Sequence, residues 1–130
     1  MYRQIKEINE KKILGDEKFV QGAYDEAIEH YTTCIVLSVK SQTFSAKVYL
    51  NRGTCHTKKN NFADAVKDFT VAIAYNRAYV KAYTRRAESY MGLGGPEKID
   101  KAIKDYETAV ELESDETAVK ALKEKIKKVR

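Results

Sequence analysis

One apolar pattern occurs three times in this chain, and it limits the fold more than any other feature. Tyr24, Ala27, Ile28, Tyr31, Cys34 and Ile35 stand at offsets 0, 3, 4, 7, 10 and 11. The same offsets recur in Phe62, Ala65, Val66, Phe69, Ala72 and Ile73, and again in Ile99, Ala102, Ile103, Tyr106, Ala109 and Val110. Each set draws a stripe at helical period, aromatic or branched at the large places and small at the others. The starts lie 38 and 37 residues apart. Ahead of each stripe is a second helical segment with a small residue at its waist: Gly15, Gly53 and Ala87. Glycine inside a helix costs about 1 kcal/mol against alanine, so its presence predicts close packing by a neighbouring helix.

The spacing predicts seven helices, near 4–21, 24–38, 44–59, 62–75, 78–92, 97–112 and 115–129. The irregularities fall where loops belong. "SVKSQTF" lengthens the first connection between repeats, and "LGGPEK" lengthens the turn inside the third, with Pro96 at a helix start that tolerates its missing N–H. Short turns force antiparallel pairs. No pair buries its own stripe alone, so the expected fold is all-α: three hairpins stacked as a solenoid within a single domain, 1–130. The repeats fall at about 8–41, 46–79 and 80–113. A seventh helix at about 115–129 presents Ala118, Leu122 and Ile126 and would cap the last pair, its lysines left in water.

Composition agrees. The 43% hydrophobic content supports a core, and one proline with six glycines leaves few helix breakers. No apolar run approaches the roughly 18–20 residues of a membrane span. "MYRQIKEINEKK" has no apolar signal core, and Cys34 and Cys55 lack metal-ligand spacing. Two buried, reduced thiols of a cytoplasmic protein are the expectation. Of the net charge of +5, the segment 114–130 carries +3, with six basic and three acidic residues. That reads as a solvated terminal face rather than a nucleic-acid footprint.

Helical hairpins of this length, with small residues in the first helix and "YDEAIEHY", "FADAVKDF" or "IDKAIKDY" opening the second, resemble the tetratricopeptide repeat. The resemblance spans about 8–113 and implies a right-handed superhelix whose groove is lined by the first helix of each pair. It is closest to the carboxylate-clamp type. Such co-chaperones grip the C-terminal tails of heat-shock chaperones of the 70-kDa and 90-kDa classes, which end in Glu-Glu-Val-Asp. Lys12, Asn51, Lys81 and Arg85 match the clamp by type and place; Lys81 and Arg85 sit four apart in "YVKAYTRR". Asp16, in "ILGDEKF", stands where the clamp carries asparagine. An aspartate about 6 Å from a ligand carboxylate repels it by about 2–3 kcal/mol at an effective dielectric near 20. Lys12 and Asp16, four apart on one face, are also placed to pair with each other and withdraw a donor. Phe19, Thr54, Thr57 and Lys58, a turn further along, are expected to form a pocket and rim for upstream ligand residues; Phe19 reads equally well as core.

"AKVYLNRGT" with "YVKAYTRRAESYM" resembles most the triplet that accompanies a J-domain in one class of co-chaperone. This chain has no J-domain signature, so its residues would be one module of such a protein or a divergent relative. An alternative is a repeat scaffold that binds an internal segment of another protein, its clamp lost or repurposed through Asp16. A basic module for RNA or anionic membrane, resting on "KALKEKIKKVR", is the weakest reading. No catalytic constellation stands out: His30 and His56 fall on different helices, "GLGG" reads as a turn, and the carboxylate pairs are helix surface. The expectation is a monomeric, non-enzymatic binding module without metal or cofactor, whose partners are chaperone tails rather than nucleic acid or membrane.

Overall fold

The computed structural model describes residues 2–41 and 45–129, the side chains of Tyr2 and Gln4 excepted. Seven helices follow one another: α1 (Tyr2–Val20), α2 (Tyr24–Ser41), α3 (Ala46–Lys58), α4 (Phe62–Tyr75), α5 (Val80–Leu93), α6 (Pro96–Leu112) and α7 (Glu116–Val129). Among the described residues there is no strand. The hairpins are α1–α2, α3–α4 and α5–α6, and each packs on the next through its neighbouring helices. The first helices also touch, α1 with α3 and α3 with α5, which gathers them on one side of the superhelical stack.

The waist residues account for that closeness. A Cβ on Gly15 would lie 2.6 Å from the Tyr31 ring, and one on Gly53 would lie 2.7 Å from the Phe69 ring. Real Cβ atoms do not approach that near, so each aromatic of the stripe occupies the space its partner glycine leaves open. Ala87 and Tyr106 share the third cluster in the same register, the alanine fully buried. Each hairpin turn passes through a left-handed residue: Gly22 (φ +78°), Asn60 (φ +63°) and Gly94 (φ +76°). Two are glycines, which adopt this region without steric cost, and the third is the asparagine that tolerates it best.

Two boundaries differ from the sequence expectation. Residues 38–41 of "SVKSQTF" continue α2 as helix, with Ser38 buried and the Ser41 hydroxyl donating to the Leu37 carbonyl at 3.0 Å. The remaining residues, 42–44, lie outside the described residues, as does the expected first residue of α3. Helix α5 begins at Val80, two residues late. Asn76 holds a turn there, its side chain accepting from Ala78 N–H at 3.1 Å. Helix α7 covers the end as expected: Leu122 and Ile126 are buried against Ala102, Tyr106 and Ala109, and Lys120, Lys123, Lys125, Lys127 and Lys128 stay exposed. No helix among the described residues is long and apolar enough to cross a membrane.

Candidate functional site

The first helices carry the polar residues singled out above. Equal offsets from the waist put Ile13, Asn51 and Arg85 at one register, and Asn9, Lys47 and Lys81 at another. Asp16, Thr54 and Glu88 form a third set. Hydrogen bonds join these positions across helices. Asn51 Nδ2 on α3 donates to Asp16 Oδ1 on α1 at 3.3 Å. Arg85 Nη1 on α5 donates to Thr54 Oγ1 on α3 at 3.2 Å, and the Thr54 hydroxyl donates in turn to the Leu50 carbonyl at 2.8 Å. Thr54 lies one turn beyond Asn51 on the same face, so a continuous polar band crosses α1, α3 and α5. Lys12 adjoins it from α1 and Lys81 from α5, each four residues from a member of the band.

Charge is distributed unevenly along the band. The Lys81 ammonium is exposed, and neither it nor the half-buried Lys12 ammonium meets a protein carboxylate among the described residues. The expected Lys12–Asp16 pair does not form. Asp16 Oδ1 instead accepts the Tyr31 hydroxyl at 2.5 Å. Tyr31 is wholly buried, and an unsatisfied hydroxyl there would cost about 1–3 kcal/mol, more than an exposed ion pair returns. Burial first, and Asp16 second, push the Tyr31 phenol far above its ordinary range, so it remains a donor.

The four pocket-and-rim positions fare differently. Phe19 is half-buried and packs edge-on to Tyr24 at 5.9 Å within the first core cluster. Thr54 is buried beneath Arg85, and the Thr57 hydroxyl, donating to the Gly53 carbonyl at 3.1 Å, lies 3.3 Å from Ser89 Oγ. Only Lys58 of the four is exposed. Beside Asp16 there is instead a hollow of about 420 Å³ lined by Ile13, Asp16, Glu17, Val20 and Gln21. Ile13 is 57% and Val20 85% exposed, an apolar surface at the α1 end that periodicity did not single out.

The sequence reading also missed a buried polar pair that occurs twice. Arg52 grips Asp68 through Nε at 2.8 Å and Nη2 at 2.7 Å, while its Nη1 donates to Thr32 of the preceding hairpin at 3.2 Å. Arg86 grips Asp105 at 2.8 and 2.7 Å and reaches Thr70 at 3.1 Å. The signal was present: each arginine precedes a waist residue, and each aspartate precedes a stripe aromatic. These carboxylates are engaged in hairpin pairing. The thiols are equally removed from solvent chemistry. Burial raises Cys34 to about 11 and Cys55 to about 12, so both are protonated near neutrality.

Stacked helical hairpins with a donor-bearing band across their first helices define an α-helical repeat protein of the recognition type. The tetratricopeptide repeat pattern matches residues 46–79 and 80–116, and the chain belongs to that family. It is similar to DnaJ homolog subfamily C member 7 of Mus musculus, 36% identical over 111 residues; the match takes in 85% of this chain and 22% of that relative. The chain thus spans under a quarter of the length of that curated relative. Among solved structures, the first TPR of Spaghetti (RPAP3) bound to HSP90 peptide SRMEEVD matches with a TM-score of 0.79 and 34% identity, covering 95% of this chain and 92% of that one. The second TPR domain of the human RPAP3 protein in complex with HSP70 peptide SGPTIEEVD matches with a TM-score of 0.80 and 32% identity, covering 95% and 98%.

Proposed function

We propose that this module docks the acidic C-terminal peptide of heat-shock chaperones, of the Glu-Glu-Val-Asp type, on the face formed by α1, α3 and α5. One observation carries the reading: Asn51 and Arg85 share a register and belong to a polar band that spans three helices, with Lys12 and Lys81 at its two ends meeting no carboxylate among the described residues. Charge-assisted hydrogen bonds contribute about 1.5–3 kcal/mol each, and a micromolar complex needs about 8 kcal/mol in all. Lys81 and Arg85 with an apolar contact come close to that figure.

In this reading the chain, one domain of three repeats at about 8–41, 46–79 and 80–113 plus a cap, is the chaperone-reading part of a cytoplasmic co-chaperone. It performs no catalysis; the protonated, buried thiols accord with both statements. Titration calorimetry with the heptapeptide Ser-Arg-Met-Glu-Glu-Val-Asp tests it. The double change Lys81→Ala with Arg85→Ala is expected to weaken binding by about thirtyfold or more, with affinity falling as salt rises. Equal affinity for wild type and the double variant would falsify the assignment.

A further inference from the structure

The two ends of the binding face differ in sign, and the difference bears on what part of an acidic peptide can lie at each. At the α5 end stand Lys81, exposed and without a carboxylate partner among the described residues, and Arg85, one of whose nitrogens is engaged by Thr54. At the α1 end stands Asp16. Its Oδ1 already accepts two hydrogen bonds, from Tyr31 at 2.5 Å and from Asn51 at 3.3 Å, while its second oxygen has no partner among the described residues. One of the two N–H donors of Asn51 Nδ2, which could have served a ligand carboxylate, is therefore taken by a carboxylate of the protein itself. Glu17 adds a second acid beside it on the lining of the 420 Å³ hollow. Lys12, one turn back, offsets one of these charges and leaves the other. The rest of the α1 end is apolar, with Ile13 and Val20 exposed where Arg85's register mate and a neighbouring turn face outward.

The geometry points to Asp16 as the specificity-determining residue of this face: it keeps the peptide's terminal main-chain carboxylate from being gripped at α1, so that docking rests on the acidic side chains held by Lys81 and Arg85. This deepens the docking reading above and rests on it. Side-chain carboxylates of the peptide are held by Lys81 and Arg85. A backbone N–H donates to the free Asp16 oxygen, and an apolar side chain enters the hollow beside Ile13 and Val20. A terminal carboxylate placed against Asp16 would face an anion and compete with it for the same amide. A main-chain amide in that place supplies the donor that Asp16 lacks.

The test is calorimetry on this chain with Ser-Arg-Met-Glu-Glu-Val-Asp prepared as the free acid and as the C-terminal amide, against wild type and Asp16→Asn. Asparagine keeps an oxygen for Tyr31, and the wild-type comparison needs no variant. Wild type is expected to bind the amide at least as tightly as the acid, within about threefold, whereas Asp16→Asn binds the acid about tenfold or more tighter than the amide. In both proteins Lys81→Ala weakens acid and amide alike. A wild type that loses about tenfold or more on amidation, as Asp16→Asn does, overturns the inference and leaves the docking reading in place. Failure of both peptide forms to bind both proteins overturns the two together.

Discussion

The first hairpin and the two that follow it share a fold but not a fastening. In the second and third, a half-buried arginine forks onto a buried aspartate across the hairpin and stacks 5.9 Å over a tyrosine one turn back, Tyr49 or Tyr83. The same registers in the first hairpin hold Leu14 for the arginine, His30 for the aspartate and Lys11 for the tyrosine. Leu14 is exposed and His30 half-buried, and among the described residues no ion pair joins α1 to α2 at this level. The ion pair that does join them, Lys18 with Glu26 at 2.9 Å, lies in solvent. The contrast separates two uses of polar side chains: later hairpins commit an arginine–aspartate fork to pairing alone, whereas the first relies on Asp16, which accepts from Tyr31 across the hairpin and also from Asn51 on the binding face.

Alkaline pH should expose this difference most strongly. Three groups that resist ionisation meet in the first core cluster: Cys34, raised to about 11, Cys55, raised to about 12, and Tyr31, raised further. The third cluster has Tyr106, raised to about 12. The folded chain holds protons that the unfolded chain sheds, the thiols from about pH 9 and the phenols from about pH 10. Their stabilisation is complete below those values and is lost as pH rises through the folded ones. Each group adds a slope of about 1.4 kcal/mol per pH unit. Urea midpoints should fall steeply between about pH 9 and about pH 11, and Cys34→Ala should flatten the fall. An unchanged slope in that variant would show that the first cluster opens before its thiol ionises.

Removing a fork comes next in size. Asp68→Ala leaves Arg52 largely buried without its partner, a loss of about 3 kcal/mol in urea or thermal unfolding, against less than about 1 kcal/mol for His30→Ala at the matching place. Equal losses would break the comparison. Grafting the pair into the first hairpin, Leu14→Arg with His30→Asp, should gain about 1 kcal/mol. A neutral or negative result would mean that the α1–α2 backbone does not hold the fork's geometry. Smallest of all, Lys18→Ala should change stability by less than about 0.5 kcal/mol, since the pair is solvated.

Much of the architecture was legible because apolar period and small-residue spacing report packing directly: Gly15 opposite Tyr31 and Gly53 opposite Phe69 follow from it. The forks are not legible because a charged residue beside a waist or a stripe aromatic reads as helix surface until its partner across the hairpin is known. The Lys12–Asp16 pairing failed for a different reason. Helical spacing permits it, but spacing does not reveal that Tyr31's hydroxyl is sealed in the core and takes Asp16 as its acceptor. Nor does periodicity place Ile13 and Val20 in the open, since an apolar residue on a helix reads as core until its neighbours are known.

The third nitrogen of each guanidinium ties one hairpin to the one before it. Arg52 reaches back to Thr32 and Arg86 to Thr70, so neighbouring hairpins cannot separate without loosening a pairing inside the later one. Such an array should come apart from the end whose hairpin lacks a fork. Fraying would begin at α1, where the ligand-facing acid also resides, and a docked peptide bridging α1 to α5 would act as the missing clasp.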